Sequence, residues 1–152
     1  MELRDIIKEA VAISERATFK EALARMVSEQ TNTLLAVDGD GKLSGAVGVA
    51  ELLDAVVPEY LDGDSIAAAF ASEDLFTESV QDAAQKIVVD FMSHDPHPIN
   101  IDDGLMAVAA TAIADQRSRI PVVDKDDRPI GIVSRRGLKQ MLAKELGIAD
   151  SA

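Results

Sequence analysis

NTLLAVDGDGKLSGAVGVAELLDAV, residues 32–56, lies over SRIPVVDKDDRPIGIVSRRGLKQML, residues 118–142, without a gap. Asp38 falls on Asp124, Gly45 on Gly131 and Leu52 on Leu138, each 86 positions apart. The register holds upstream, where Ile13 meets Ile99, Phe19 meets Leu105, Ala22 meets Val108 and Val27 meets Ile113. A constant offset over about fifty residues marks a duplicated structural unit.

Each copy reads as the same series of elements. An extended piece around Ile13 or Ile99 precedes a helix, expected over 18–29 and 103–116. Thr18 and Glu21 have capping-box spacing, and Asp102 or Asp103 can open the second helix. Two apolar runs follow, LLAV with LSGAVGV and RIPVV with PIGIV, each pair split by Asp-, Gly- or Pro-rich turn residues as in a hairpin. A closing helix is expected over 49–57 and 136–146. The fold class is therefore α+β: two tandem β-α-β-β-α repeats, at 1–57 and 91–152, joined by a helical connector at 58–90. Within the connector, Asp64 and Thr77 or Ser79 can cap two helices. The Ala-rich run 66–71 is expected to pack within the chain, with a subunit contact as the alternative. Val37, Val47, Val122, Val123, Ile132 and Val133 are the expected core, shared by both lobes.

Composition narrows the function. The chain has 152 residues, enough to bury about 70% of its unfolded surface. With 27 acidic residues against 15 Lys and Arg, it is a poor partner for nucleic acid or an anionic membrane. It has no Cys, which removes disulfides and thiolate chemistry and suits a reducing compartment. The charged start MELRDIIKEA and the lack of a long apolar run lead us to expect a cytoplasmic protein. No nucleophile elbow, P-loop or zinc-protease motif is present, so it is not expected to be an enzyme. His94 and His97 alternate with Pro96 and Pro98, which forbids helical ligand spacing, and the turns DGDG (38–41) and DKDD (124–127) lack the EF-hand pattern. No metal site is assigned.

The candidate binding residues lie in the second copy. Residues 117–144 hold eight basic residues, Arg117, Arg119, Lys125, Arg128, Arg135, Arg136, Lys139 and Lys144, against three acidic ones. Residues 1–116 hold seven basic and twenty-two acidic. Arg135 and Arg136 follow Ser134 at a helix start, an end that favours anions and slightly disfavours cations. An anionic ligand, or an acidic surface of the protein itself, would compensate them.

FMSHDPHPI, the RIPVVD strand and the G-x-x-S corner at Gly131 to Ser134 together resemble a cystathionine β-synthase (CBS) domain, and the whole chain resembles a stand-alone tandem pair. The resemblance implies two repeats packed about a pseudo-two-fold axis. It also implies a regulatory, ligand-sensing module that requires no cofactor, forms a homodimer and signals to a separate effector protein. The ligand would be AMP, ADP, ATP or S-adenosylmethionine, bound in a cleft between the repeats. Carried over residue by residue, the site comprises Gly131 and Ser134, with His97 and Ile99 on the strand that lines the cleft; Arg135, Arg136 and Arg119 join it on their charge. The family corner usually ends in Asp, and Gly137 stands there instead; in the first copy, Gly48 replaces the hydroxyl and Glu51 the Asp. Restoring Asp at 137 is expected to tighten binding. The alternative reading is an interaction module with empty, degenerate clefts. The homodimer is expected to use the helices carrying Leu52, Leu53 and Val56, and Leu138, Met141 and Leu142.

Overall fold

The computed structural model describes residues 2–61, 63–115 and 119–148. Arg117, counted in the basic stretch, and Gln116, the expected end of a helix, lie outside the described residues. Two compact units form, one of 11–39 and 44–95, the other of 1–10, 40–43 and 96–152. These units group the chain differently from the repeats: the N-terminal ten residues join the second repeat, and the connector joins the first.

In the first unit, strands β2 (Val11–Ser14), β3 (Thr33–Val37) and β4 (Leu43–Gly48) form a sheet in the order β2-β3-β4. β2 and β3 run parallel, with helix α1 (Phe19–Glu29) as their crossover. The capping box is present: the Glu21 N–H donates to Thr18 Oγ1 at 3.1 Å, and the Thr18 N–H donates to Glu21 Oε1 at 3.4 Å. Helix α2 (Val49–Val56) closes the repeat, followed by α3 (Ser65–Ala69), α4 (Glu73–Ala83) and α5 (Val88–Phe91). Asp64 caps α3 as expected. Ser72 caps α4, not Thr77 or Ser79, because Ser72 precedes two acids in the first turn while the Thr77 hydroxyl donates back to the Glu73 carbonyl. Lys86 donates from Nζ to the Ala55 carbonyl at 2.6 Å, tying the connector to the C-terminal end of α2.

The second unit carries β1 (Ile7–Lys8), β5 (Ile99–Asn100), β6 (Arg119–Val123) and β7 (Pro129–Ser134) in the order β1-β7-β6-β5. Helices α6 (Leu105–Asp115) and α7 (Arg135–Glu145) complete the β-α-β-β-α order. β1 pairs antiparallel with β7, with Ile7 opposite Val133. The tip of the DKDD turn is closed by Asp124, whose Oδ1 accepts from the N–H groups of Asp126 and Arg128.

One core common to both lobes was expected; the buried residues form two clusters instead. Phe19, Met26, Leu34, Val47, Leu52 and Val88 lie in one, and Leu3, Ile6, Ile99, Val108, Ile120 and Met141 in the other. Each unit closes its own helices over its own sheet. Val47, Val122, Val123, Ile132 and Val133 are buried as expected, whereas Val37 is half-buried. The Ala-rich connector run does not pack inside: Ile66 is 74% and Phe70 87% exposed. With five residues, α3 is too short to bury its apolar stripe.

Thr18→Ala should lower stability by about 1 kcal/mol, since it removes the side chain that caps α1 and half of the box. Urea unfolding measures this, and an unchanged midpoint would mean the cap contributes nothing.

Candidate functional site

Ser134 ends β7 and begins α7. Its backbone is extended, and its Oγ accepts the Gly137 N–H at 3.3 Å, which makes it the N-cap. Arg135 and Arg136 occupy the first two positions of α7, both exposed, where the helix end still presents free N–H groups. Among the described residues, neither guanidinium makes an ion pair. The first turn of α7 contains no acid. Positive charge and unused donors are therefore concentrated at one corner.

The sheet brings Arg119 to the same place, since it lies directly across from Ser134 in the β6–β7 ladder. β5 runs parallel to β6 with Ile99 beside Val122, so His97 lies towards the Arg119 end of the sheet, with β6 between it and β7. His97 is exposed and has φ +44°, a left-handed backbone held between two prolines. The other two candidates lie deeper. Ile99 is a core residue of the second unit, and Gly131 sits mid-strand opposite Val122.

Gly131 has a packing reason to be glycine. A Cβ there would stand 2.7 Å from the Lys8 backbone oxygen. Gly137 is in the same position with respect to Ile6, whose carbonyl oxygen would be 2.9 Å from its Cβ. The N-terminal segment thus lies against both glycines of the corner. Sequence reasoning missed this segment. The signal was available, because Ile6 and Met92 are also 86 apart and both are buried. In the first repeat, Ser93 does the same to Gly45: its oxygen lies 2.6 Å from where a Cβ would be, and Ser93 bridges to Ala46.

The corner of the first repeat is different. Gly48 is the N-cap of α2 and offers no side-chain hydrogen bond. Glu51 turns its carboxylate towards Gly48, with Oε2 3.7 Å from where a Cβ would be.

The CBS domain family matches the chain twice, over residues 3–58 and 88–144. The chain belongs to the CBS-domain family. As a CBS pair it resembles solved structures along nearly its whole length. A CBS domain-containing protein from Kribbella flavida shares 19% identity at a TM-score of 0.76, covering 94% of this chain and 99% of that one. The CBS-pair protein CBSX2 from Arabidopsis thaliana shares 20% at 0.72, covering 97% and 98%. The CBS domain pair of protein MJ0100, solved with 5′-methylthioadenosine and S-adenosyl-L-methionine, shares 20% at 0.66, covering 93% and 99%. No curated protein matches the chain. Among the described residues, no helix is long and apolar enough to cross a membrane.

Proposed function

We propose that this CBS pair is a regulatory module that binds a phosphate-bearing adenosine compound at the corner of its second repeat and passes that state to a separate effector protein. The observation that carries the reading is the pair of exposed, unpaired guanidinium groups of Arg135 and Arg136 at the Ser134-capped start of α7. Guanidinium forks and helix N–H groups together suit a phosphate better than a neutral group. Arg119 and His97, at the same end of the sheet, are the further contacts, with Gly131 and Ile99 forming the floor. The bound adenosine compounds of the MJ0100 CBS pair support the ligand class. No cofactor is required, and the module acts without catalysis.

The same reading includes a homodimer. Leu52 and Met141 are buried within their own units, whereas Leu53 and Leu142 remain exposed and need a cover. Light scattering at micromolar concentration should give twice the 16.2 kDa of one chain. A mass of one chain would contradict the dimer.

Thermal shift against AMP, ADP, ATP and S-adenosylmethionine tests the ligand. A compound at a hundred times its dissociation constant adds about 2.7 kcal/mol of stability, a rise of several degrees. A flat response across the panel would favour an interaction module with empty clefts, a reading supported by the exposed apolar side chains of the connector.

A further inference from the structure

The connector belongs to the first unit, where its helix α4 packs beside α2. Two hollows of about 620 and 280 Å³ open along α2. The larger takes Leu23 and Val27 from α1, Val49 and Leu53 from α2, and Phe76 and Val80 from α4. Leu53, Val56 and Phe76 line both hollows, which makes them one trough. Leu53 is 57%, Phe76 65% and Val27 70% exposed, so the trough lays bare a continuous apolar surface. With eight residues, α2 is about 12 Å long, which matches about two turns of a helix laid alongside it.

Charge selects the occupant. Residues 43–85, which include α2, α3 and α4, contain nine acidic residues and not one Lys or Arg. Asp54 follows Leu53 on α2, and Glu73 of α4 lines the smaller hollow; both are exposed. Helix α1 ends at the larger hollow, with Gln30 and Thr31 in the lining and no base in its last turn. The partial negative charge of that helix end adds to the acidic rim. An apolar trough with such a rim fits a helix that has an apolar stripe and basic flanks. A second copy offering the same face would set nine carboxylates against nine. We propose that the trough between α1, α2 and α4 docks a basic amphipathic helix of the separate effector protein. The inference rests on the effector-signalling reading above and names that partner's chemistry. Leu53 is then covered by the effector, and the dimer is left to Leu142.

The probe is a fluorescent peptide of about fourteen residues with Leu at i, i+3, i+4 and i+7 and Lys elsewhere. Anisotropy in low and high salt reads its affinity for wild type and for two variants, Leu53→Ser with Phe76→Ser and Asp54→Lys with Glu73→Lys. All four positions are exposed, and urea unfolding checks that each variant is folded. Wild type should bind the peptide, more weakly as salt rises. A scrambled peptide of the same composition should bind at least about tenfold more weakly. The serine variant keeps every charge and should also lose at least about tenfold. The lysine variant should lose the Lys peptide and gain one with Glu in place of Lys. Equal binding of the scrambled peptide, or an unaffected serine variant, reduces the contact to charge alone and overturns the docking site. A wild-type dimer that the serine variant dissociates in sedimentation assigns the trough to a second copy and overturns it as well. The sensing reading fails separately: a thermal response to AMP without peptide binding removes only the docking site, and peptide binding with a flat nucleotide panel removes only the sensor.

Discussion

Replacing Arg135 and Arg136 together by alanine is expected to weaken AMP binding by about ten- to a hundredfold and to leave adenosine binding nearly unchanged. Hydrogen bonds to charged groups contribute roughly 1.5–3 kcal/mol each, and both guanidinium groups are exposed, so the lower part of that range applies. The same substitution removes two cations from the start of α7, an end that disfavours them by a few tenths of a kcal/mol. The ligand-free protein should therefore become slightly more stable as AMP affinity falls. A residue that merely supported the fold would move both quantities in the same direction. Calorimetry with AMP and adenosine, beside thermal unfolding without ligand, reads the two signs. Equal losses for both ligands would make the arginines ordinary surface and favour the interaction-module reading.

Internal repetition makes the fold legible in the amino-acid sequence. The offset linking Asp38 to Asp124 and Gly45 to Gly131 carries element order, hairpin positions and most of the core with it. Local chemistry is equally readable where one side chain decides the outcome: Thr18, Asp64 and Ser134 cap the helices that they precede. The misses share a different cause. Val37 sits at the end of β3, where burial fades, and nothing in its immediate sequence announces that. The Ala-rich run 66–71 has the composition of a packed helix but too little length to use it. The role of Ile6 and Lys8 depends on a long-range pairing, β1 with β7, that spans most of the chain and leaves only a weak local pattern in LRDIIK.

The candidate site is legible as charge and as a corner but not as a packing problem. Gly137 stands where the family carries a carboxylate, and on sequence alone Gly137→Asp should tighten binding. Its backbone does not have a positive φ, so a side chain is conformationally admissible there. The obstacle is the Ile6 carbonyl, 2.9 Å from the position of a new Cβ. An aspartate at 137 must push the N-terminal segment away from α7 before it can reach a ligand. The substitution should cost stability rather than gain affinity.

The largest stability losses are expected from Gly131→Ala and Gly45→Ala, each of which should cost about 2–3 kcal/mol in urea unfolding. The added methyl would lie 2.7 Å from the Lys8 backbone oxygen in the first case and 2.6 Å from the Ser93 backbone oxygen in the second. Both oxygens belong to the backbone, and at Gly45 the Met92 thioether, 2.5 Å from the added methyl, must move as well. Lys8 is paired with Ile132, and Ser93 exchanges two backbone hydrogen bonds with Ala46, so relief of the clash must disrupt the pairing. In the second repeat, that means lifting β1 and uncovering Leu3 and Ile6, both in its core. Gly39→Ala is the control, because nothing lies within 4 Å of its would-be Cβ and its φ is not positive. It should be neutral or slightly stabilising, since alanine restricts the unfolded chain. The two costly substitutions should also separate by site: Gly131→Ala disturbs the segment against the α7 corner and should weaken AMP binding, while Gly45→Ala lies in the other unit and should leave AMP affinity within about twofold of wild type, below the 1.4 kcal/mol of a tenfold change. Equal stability for all three variants would mean that the N-terminal strand and the Ser93 bridge yield freely, and the packing account of these glycines would be wrong.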